Sequence, residues 1–489
     1  MESFRMRAQH PAGRHRGRRR GSGRHHRGGA MRLLHRLALL GWLAALPAAG
    51  WAQDAEHPQT RRDDSSPLGP LCSDATADGF ALNVGTRDSQ PHAARLLVYD
   101  AQARPRPSEP PLVRVDSPKA IWHLLRVRGL LPSRRYRYHL ELDGHPDSNG
   151  EVSTAPPLGA RQPLLIAVFG DERDAISGVA PSARAIIQGV LADGPDFVLG
   201  TGDLVVQGGR RADWLSLLDN HAPMFAQLPY FPALGNHELF GDSEGRTFKD
   251  LFPLAAQGYY NVRYGQVQVI VLNANRPGDP TQTRFLEDEL RRSVSDPAVR
   301  ARLILMHHAP LSASWHCGVG PYVADWMALF ERYQVDAVLA GHDHSYQRLE
   351  RNGVAYFVSG GAGAPLYEQG RCDPHDELAL QHYAAVHHYM LVRITPTSDS
   401  RHDAITVTAR VPQGPPIDEA TLPLPRTRST GMTAEHLAPN ARPPSPLRAR
   451  QVWMLLKRYS GPLLLLIGVP IALSIAWRRV RRRRRAARP

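Results

Sequence analysis

Residues 72–156 form short runs in which apolar and polar side chains alternate. Clear examples are residues 80–84, 94–99 and 136–142, and turn-forming residues separate them. Alternation with a period of two puts every second side chain on the same face of a strand, and short strands at this spacing are typical of an antiparallel sandwich. The pattern predicts a small all-β sandwich over residues 72–156, in which no residues indicate chemistry.

The pattern changes at residue 163, where apolar runs begin to alternate with segments of helical period. Runs that are apolar throughout are typical of strands covered on both faces, as in α/β proteins. The predicted strands are residues 164–169, 197–199, 230–234, 267–272, 303–306, 337–339, 355–358, 390–394 and 405–407. The predicted helices are residues 182–191, 213–225, 283–294 and 322–333. The sequence therefore predicts an α/β domain over residues 163–411.

Both ends of the chain carry patterns typical of targeting segments. Residues 31–52 have a basic start, an apolar stretch and small residues at the end, which predicts a secretory signal peptide cleaved after Ala52. Residues 461–477 lack charged side chains and lie between basic residues, which predicts a short transmembrane helix. The Arg-rich tail 478–489 would then stay in the cytoplasm. An alternative for this end is a sorting signal that is removed after export.

The segments between these regions are polar, and their composition does not support a packed core. Residues 1–30 are rich in Arg, His and Gly and predict a disordered basic extension, with Met31 as the expected start of translation. Residues 53–71 predict a linker, and the Pro-rich residues 412–452 predict a stalk before the membrane segment. This organisation predicts an extracytoplasmic protein, periplasmic or on the cell surface, that is anchored at its C-terminus.

The formal net charge of the 489 residues is +14, which at first indicates a nucleic-acid binder. Residues 1–30 and residues 478–489 carry +8 each, so the rest of the chain carries only −2. The basic charge therefore belongs to the two ends, and the charge pattern argues against nucleic acid as a partner.

Three cysteines lie in the part that is predicted to be exported, namely Cys72, Cys317 and Cys372. Disulfides persist outside the cytoplasm, and an odd count leaves one thiol over. The preferred pair is Cys317 with Cys372, although the sequence leaves the pairing open. No CxxC spacing is present, so a thiolate zinc site is not expected.

Polar residues collect directly after five of the predicted strands. They are Asp171, Asp203, Asn236, His307 and the pair His342 and His344. Ligands of α/β proteins bind at the carboxyl ends of strands. Carboxylate and amide oxygens mixed with imidazoles suit iron, manganese or zinc, whereas calcium prefers oxygen alone. The set predicts a centre of two metal ions of unknown identity that can hold a phosphate.

The motifs GD at 202–203, GNHE at 235–238 and GHDH at 341–344 resemble, in order and in placement, those of the metallophosphoesterase (calcineurin-like) family. Residues 127–138 are similar to the late hairpin of a fibronectin type III domain, and a sandwich in front makes the purple acid phosphatase branch the nearest. The resemblance covers about residues 75–410. It implies a four-layer α-β-β-α sandwich preceded by the small all-β sandwich.

The resemblance also implies a role for each residue of the set. Asp203 would bridge both ions, Asp171 and His344 would bind the first, and Asn236, His307 and His342 would bind the second. His237 would contact the phosphate, and His316, nine residues after His307, would protonate the leaving group.

Two positions depart from the pattern of the family. Val206 stands where purple acid phosphatases have a tyrosine that binds ferric iron, and Arg173 stands where other branches have a histidine. The first metal ion therefore lacks an obvious fourth ligand. A purple ferric centre is not expected, and weaker binding at this position becomes an alternative.

Together with the two targeting segments, the resemblance predicts an exported, membrane-tethered enzyme that hydrolyses small phosphate monoesters by attack of a metal-bound hydroxide. The alternatives are a phosphodiesterase or nucleotidase on the same centre, or a catalytically silent surface binding module. His308, His387 and His388 have no assigned role, and Glu238 either orients His237 or faces water. The physiological substrate, the pH optimum and the oligomeric state stay open.

Overall fold

The computed structural model describes residues 67–424, except residues 89, 103–109, 175–177, 180, 321–322, 371, 373–378 and 400–402. The predicted basic extension, signal peptide, transmembrane helix and cytoplasmic tail lie outside the described residues, as does most of the predicted linker and stalk. Among the residues that the structure describes, no helix is both long and apolar enough to cross a membrane.

Two antiparallel sheets form the N-terminal part of the described chain. Their strands are β1 (Pro67–Thr76), β2 (Gly79–Thr86), β3 (His92–Asp100), β4 (Val113–Ala120), β5 (Trp122–Val127), β6 (Arg135–Leu142) and β7 (His145–Ser153). One sheet has the order β1-β2-β5 and the other the order β4-β3-β6-β7. In β6, Tyr136, Tyr138, Leu140 and Leu142 are buried and alternate with more exposed residues, as the sequence pattern predicts.

The rest of the described chain alternates strands with helices. The strands are β8 (Leu164–Phe169), β9 (Arg173–Asp174), β10 (Gly178–Val179), β11 (Phe197–Gly200), β12 (Tyr230–Pro232), β13 (Tyr260–Tyr264), β14 (Val267–Leu272), β15 (Ala301–His308), β16 (Ala337–Gly341), β17 (Tyr346–Arg351), β18 (Val354–Ser359), β19 (Leu380–Ala384), β20 (Tyr389–Thr395), β21 (Asp403–Arg410) and β22 (Pro416–Leu424). The α-helices are α1 (Pro181–Asp193), α2 (Arg211–Phe225), α3 (Arg246–Leu251), α4 (Pro280–Ser295) and α5 (Ala324–Arg332), and two 3₁₀ turns cover His237–Leu239 and Pro253–Ala255.

Two large sheets carry the candidate site. The six-stranded sheet has the order β12-β11-β8-β20-β21-β22, and the seven-stranded sheet has the order β13-β14-β15-β16-β18-β17-β19. Strands β12, β11 and β8 run parallel to one another, and so do β14, β15, β16 and β18. The carboxyl ends of these parallel strands therefore meet along one edge of each sheet.

The side chains of β15 show how the layers pack. Leu303 and Leu305 belong to a large core that also contains the residues of β8, so this core lies between the two sheets. Ile304 and Met306 point the other way, into a second core that contains residues of α4 and α5. On the six-stranded sheet, Tyr389 of β20 lies against α1. The order helix, sheet, sheet, helix confirms the predicted four-layer architecture.

The structure differs from the predicted boundaries at two places. Strand β1 begins at Pro67, inside the predicted linker, and β22 lies inside the predicted stalk and pairs with β21. Pro416 and Pro423 lack a backbone N–H, and β22 tolerates them because it is the outermost strand of its sheet. The prolines are typical of a loop, so the sequence pattern did not predict this edge strand. Residues 416–424 belong to the sheet and not to a stalk.

Candidate metal centre

Three of the predicted metal ligands have a left-handed backbone, which is uncommon for residues other than glycine. The φ angles are 59° at Asp171, 55° at Asp203 and 69° at His342. Each residue lies in the turn after a buried parallel strand, namely β8, β11 and β16. Such conformations cost on the order of 1–3 kcal/mol and persist only where the surrounding structure holds them, which is typical of functional sites.

His307, at the end of β15, directs one ring nitrogen at two oxygen atoms. Its Nδ1 donates to the Thr201 carbonyl at 2.8 Å, so Nε2 carries the lone pair of the neutral ring. Nε2 lies 3.1 Å from Asn236 Oδ1 and 3.2 Å from Asp203 Oδ1. Three acceptor atoms at this spacing need a metal ion or a proton between them. The geometry fits a metal ion at the predicted second position.

Asp171 and His344 lie together beside Asp203, and ligand atoms of Asp171, Asp203 and His307 lie within 4.8 Å of one another. His344 Nδ1 donates to the Pro365 carbonyl at 2.7 Å, and its Nε2 lies 3.5 Å from Asp171 Oδ1. Asp171 Oδ2 accepts the backbone N–H of His342 at 2.9 Å, whereas the buried Oδ1 has no hydrogen-bond partner. A buried carboxylate oxygen without a donor fits a metal ligand, so these residues fit the predicted first position.

Arg173 occupies the side of Asp203 that faces the first position. Its Nε donates to Asp203 Oδ2 at 3.3 Å, and its Nη2 lies 3.5 Å from His344 Nε2. The side chain is only 12% exposed. Asp203 therefore presents Oδ1 to His307 and Oδ2 to a guanidinium. The sequence indicates a missing ligand at position 173, and the structure places a cation there.

The charges around Asp203 strongly favour its ionised form. Burial alone would raise the pKa of Asp203, but the neighbouring His307, together with His237 and Arg173, holds this pKa well below its usual range. Burial opposes protonation of His307, yet the Asp203 carboxylate outweighs it and raises the pKa of His307 to about 9. A proton and a metal ion therefore compete for the same nitrogen atom.

His308 also belongs to this cluster, although the sequence assigns it no role. The ligand nitrogens of His307, His308 and His342 lie within 4.8 Å of one another. Successive side chains of a regular strand point to opposite faces, but the pairing of β15 with β16 is irregular between Leu305 and His308. Burial, and next the charge of His307, lower the pKa of His308 to about 3, so its ring is neutral and can bind a metal.

Glu238 supports both loops that carry the oxygen ligands, a role that sequence reasoning missed. Its carboxylate is fully buried and accepts four backbone N–H groups. Three belong to the turn after β11, residues 203–205, at 3.0, 2.8 and 3.2 Å, and the fourth to Gly235 at 2.8 Å. Glu238 therefore neither faces water nor binds the ring of His237. The GNHE spacing marks the residue, but only the folded loop shows its partners.

His237 and His316 lie at the rim of the cluster. His237 Nδ1 donates to the Val206 carbonyl at 2.7 Å, and its Nε2 lies 3.8 Å from Asp203 Oδ2. His316 Nδ1 lies 3.1 Å from the buried Asp343 carboxylate, and its ring stacks on His342 with 4.2 Å between centroids. The structure thus brings every residue of the predicted site together. By contrast, His387 and His388 bind the backbone carbonyls of Gly361 and Val386.

Cys317 and Cys372 form a disulfide, with 5.4 Å between their Cα atoms, which confirms the preferred pair. Cys72 is buried and carries a free thiol. The disulfide joins the segment that carries His316 to the loop around Gly370, whose N–H donates to the Ala313 carbonyl at 2.9 Å.

Replacing Cys317 and Cys372 together by serine is expected to lower the free energy of unfolding by about 2–4 kcal/mol, because the bond closes a long loop in the unfolded chain. Chemical denaturation of the full-length chain, with and without a reductant, measures the loss. Metal content should not change, since neither cysteine belongs to the metal-binding set. Equal stability of the variant and the wild type would show that the bond does not constrain the chain.

The family model of the calcineurin-like phosphoesterases matches residues 164–346. The chain therefore contains a calcineurin-like phosphoesterase domain. The match runs from β8 to the start of β17, so this phosphoesterase domain includes all six predicted metal ligands.

Relatives and solved structures agree with this domain. An uncharacterised protein of Mycobacterium tuberculosis is 27% identical in an alignment 263 residues long that covers 45% of this chain and 49% of the relative. A nucleotide pyrophosphatase/phosphodiesterase of Hordeum vulgare is 27% identical in an alignment 317 residues long that covers 52% of this chain and 85% of the relative. A purple acid phosphatase from Lupinus luteus seeds has a TM-score of 0.61 at 17% identity, with 73% of this chain and 74% of that chain covered. The matches span about half the length of some curated relatives. The likeness to the solved structure shows the phosphoesterase fold.

Proposed function

We propose that this protein is a metal-dependent phosphoesterase that hydrolyses small phosphate monoesters. The observation that carries the proposal is the convergence of Asp203 Oδ1, Asn236 Oδ1 and His307 Nε2, beside the unpartnered Oδ1 of Asp171. Metal ions at these atoms would supply the positive charge that polarises a phosphate and acidifies a water molecule. The family of residues 164–346 supports the same chemistry.

The chain's own residues orient the phosphate. His237 is held by its Nδ1 hydrogen bond to the Val206 carbonyl, which leaves Nε2 on the side of Asp203. Burial lowers the pKa of His237, and an arriving phosphate dianion would offset this by stabilising a proton on Nε2. The protonated ring then donates Nε2–H to a phosphoryl oxygen and fixes the orientation of the ester.

His316 is the group that delivers a proton to the leaving oxygen. Its Nδ1 is held by Asp343, whose carboxylate is buried and also accepts the hydroxyl of Ser312. The Asp343 contact occupies Nδ1, so Nε2 is the ring nitrogen left to serve as the acid. The side chain is 34% exposed, which keeps it accessible to a substrate from solution.

His316→Ala is expected to slow hydrolysis of an alkyl phosphate by about 10²-fold, since an alkoxide leaves only with a proton. Hydrolysis of p-nitrophenyl phosphate should change far less, because nitrophenolate leaves unprotonated. Turnover numbers for both esters measure the difference, and His139→Ala in the N-terminal sheets is the matched control. Equal losses for both esters would exclude the proton-donor role.

A phosphodiesterase or nucleotidase on the same centre is the second candidate. The name of the Hordeum vulgare relative, a nucleotide pyrophosphatase/phosphodiesterase, favours it. A catalytically silent surface binding module is the third, and it would hold no stoichiometric metal.

Export and membrane tethering belong to the same proposal. The patterns of residues 31–52 and 461–477 support them, and so does the Cys317–Cys372 disulfide, because disulfides persist in oxidising compartments. Cell fractionation tests both parts. The chain should lose residues 31–52 and sediment with the membranes, with its folded part on the extracytoplasmic side. Recovery of the uncleaved chain from the cytosol would contradict them.

The proposed activity is tested with the full-length chain in detergent, assayed on p-nitrophenyl phosphate and bis-p-nitrophenyl phosphate with manganese, zinc or iron added in turn. Faster cleavage of the monoester supports the first candidate, and faster cleavage of the diester supports the second. No cleavage with any metal, combined with no bound metal, would leave only the silent module.

A further inference from the structure

The two metal positions differ in the charge that already surrounds them. At the second position, His307 Nε2 lies against two acceptor atoms, Asn236 Oδ1 and Asp203 Oδ1. At the first position, the guanidinium of Arg173 donates to Asp203 Oδ2 and lies against His344 Nε2. Two of the three donor atoms expected for the first ion therefore already contact a cation.

We propose that Arg173 is a built-in cation of the first metal position and competes with the first ion. The inference rests on the proposed metal centre and specifies its composition. In this protein the second position holds its ion firmly, and the first position binds an ion only when the guanidinium swings away from Asp203 and His344. At limiting metal, the resting centre then consists of one ion and one arginine.

Three observations support this assignment. Asp203 is fully buried, and the Arg173 Nε donates to its Oδ2 at 3.3 Å. The guanidinium is itself a cation, so a metal ion can take its place only after the side chain has moved away. Its side chain is also largely buried, and β9 holds its backbone by pairing with β10. Displacing it therefore separates a buried ion pair, which weakens the binding of the first ion.

One atom explains why the first position is still able to take an ion. Asp171 Oδ1 is buried and has no hydrogen-bond partner, so Arg173 does not satisfy the whole position. A metal ion that displaced the guanidinium would gain this oxygen together with Asp203 Oδ2 and His344 Nε2. The first position is therefore weak but not abolished.

The experiment measures metal stoichiometry and affinity in the full-length chain by equilibrium dialysis against manganese, followed by elemental analysis. Wild type should retain the ion at the second position firmly, and the first position should bind its ion at least about tenfold more weakly. Arg173→Met removes the charge at similar volume and should raise the affinity of the first position for its ion by about tenfold or more. Arg173→Lys keeps the charge and should stay close to wild type. Arg114→Met, an exposed arginine of β4, is the matched control.

Electron paramagnetic resonance of the manganese-loaded chain is the second readout. At one equivalent, wild type should show the hyperfine sextet of an isolated ion, whereas Arg173→Met at two equivalents should show an exchange-coupled pair. Two ions of equal affinity in wild type, or no tightening in Arg173→Met with thermal unfolding unchanged, would overturn the inference and leave the proposed phosphoesterase intact. Absence of metal in every variant would overturn the phosphoesterase proposal itself.

Discussion

Asp203→Asn is expected to lower phosphoester turnover by about 10³-fold or more, an increase in the activation barrier of about 4 kcal/mol. The neutral amide removes the negative charge that both metal positions share, 3.2 Å from His307 Nε2 and 3.3 Å from Arg173 Nε. It also presents an NH₂ group to one of the two positions, where a donor repels a cation. Turnover and bound metal, measured on the same preparation, should fall together.

Asp219→Asn is the matched control, since this aspartate lies on α2 and pairs with Arg87 on the surface. Its turnover and metal content should equal those of wild type. Full turnover in Asp203→Asn would contradict the account, because no other carboxylate in the described structure contacts both His307 and Arg173.

Glu238→Leu is expected to lower the free energy of unfolding by about 4 kcal/mol or more. The change leaves four buried backbone N–H groups without an acceptor, each at a cost of about 1–3 kcal/mol. Glu238→Gln keeps one oxygen and should lose about half as much. The midpoint of urea denaturation measures both variants, provided that the slope of the transition stays constant.

Glu244→Gln is the control, because the Glu244 side chain is half exposed and pairs only loosely with Arg276, at 3.7 Å. Its stability should match wild type within about 0.5 kcal/mol. A Glu238→Leu variant as stable as wild type would mean that the loops after β11 and β12 do not depend on this carboxylate.

The ends of the strands could be predicted from the sequence because their signals are local. A continuous apolar run followed by a polar residue marks the carboxyl end of a buried strand, as at β8 with Asp171 and β15 with His307. Parallel strands in one fold bring such ends together, so the set of ligands follows from the pattern. The strand β22 could not be predicted, because its apolar alternation is weak and its prolines are typical of a loop.

The roles of Arg173, Glu238 and His308 depend on contacts between distant segments. Arg173 reaches Asp203 and His344 through a long side chain whose rotamer the sequence does not specify. Glu238 acts on the turn at 203–205, which only the folded sheet brings beside it. His308 faces the cluster because of an irregular strand pairing. The sequence reports residue types and order, whereas these roles depend on tertiary geometry.

Removal and return of metal tests the central claim most directly. The full-length chain is treated with a chelator, freed of it, and assayed on p-nitrophenyl phosphate before and after manganese, zinc or iron is returned. The account predicts that turnover disappears with the metal and returns in proportion to the metal rebound, without loss of folded protein. Turnover that survives in a chain shown by elemental analysis to be free of metal would contradict it.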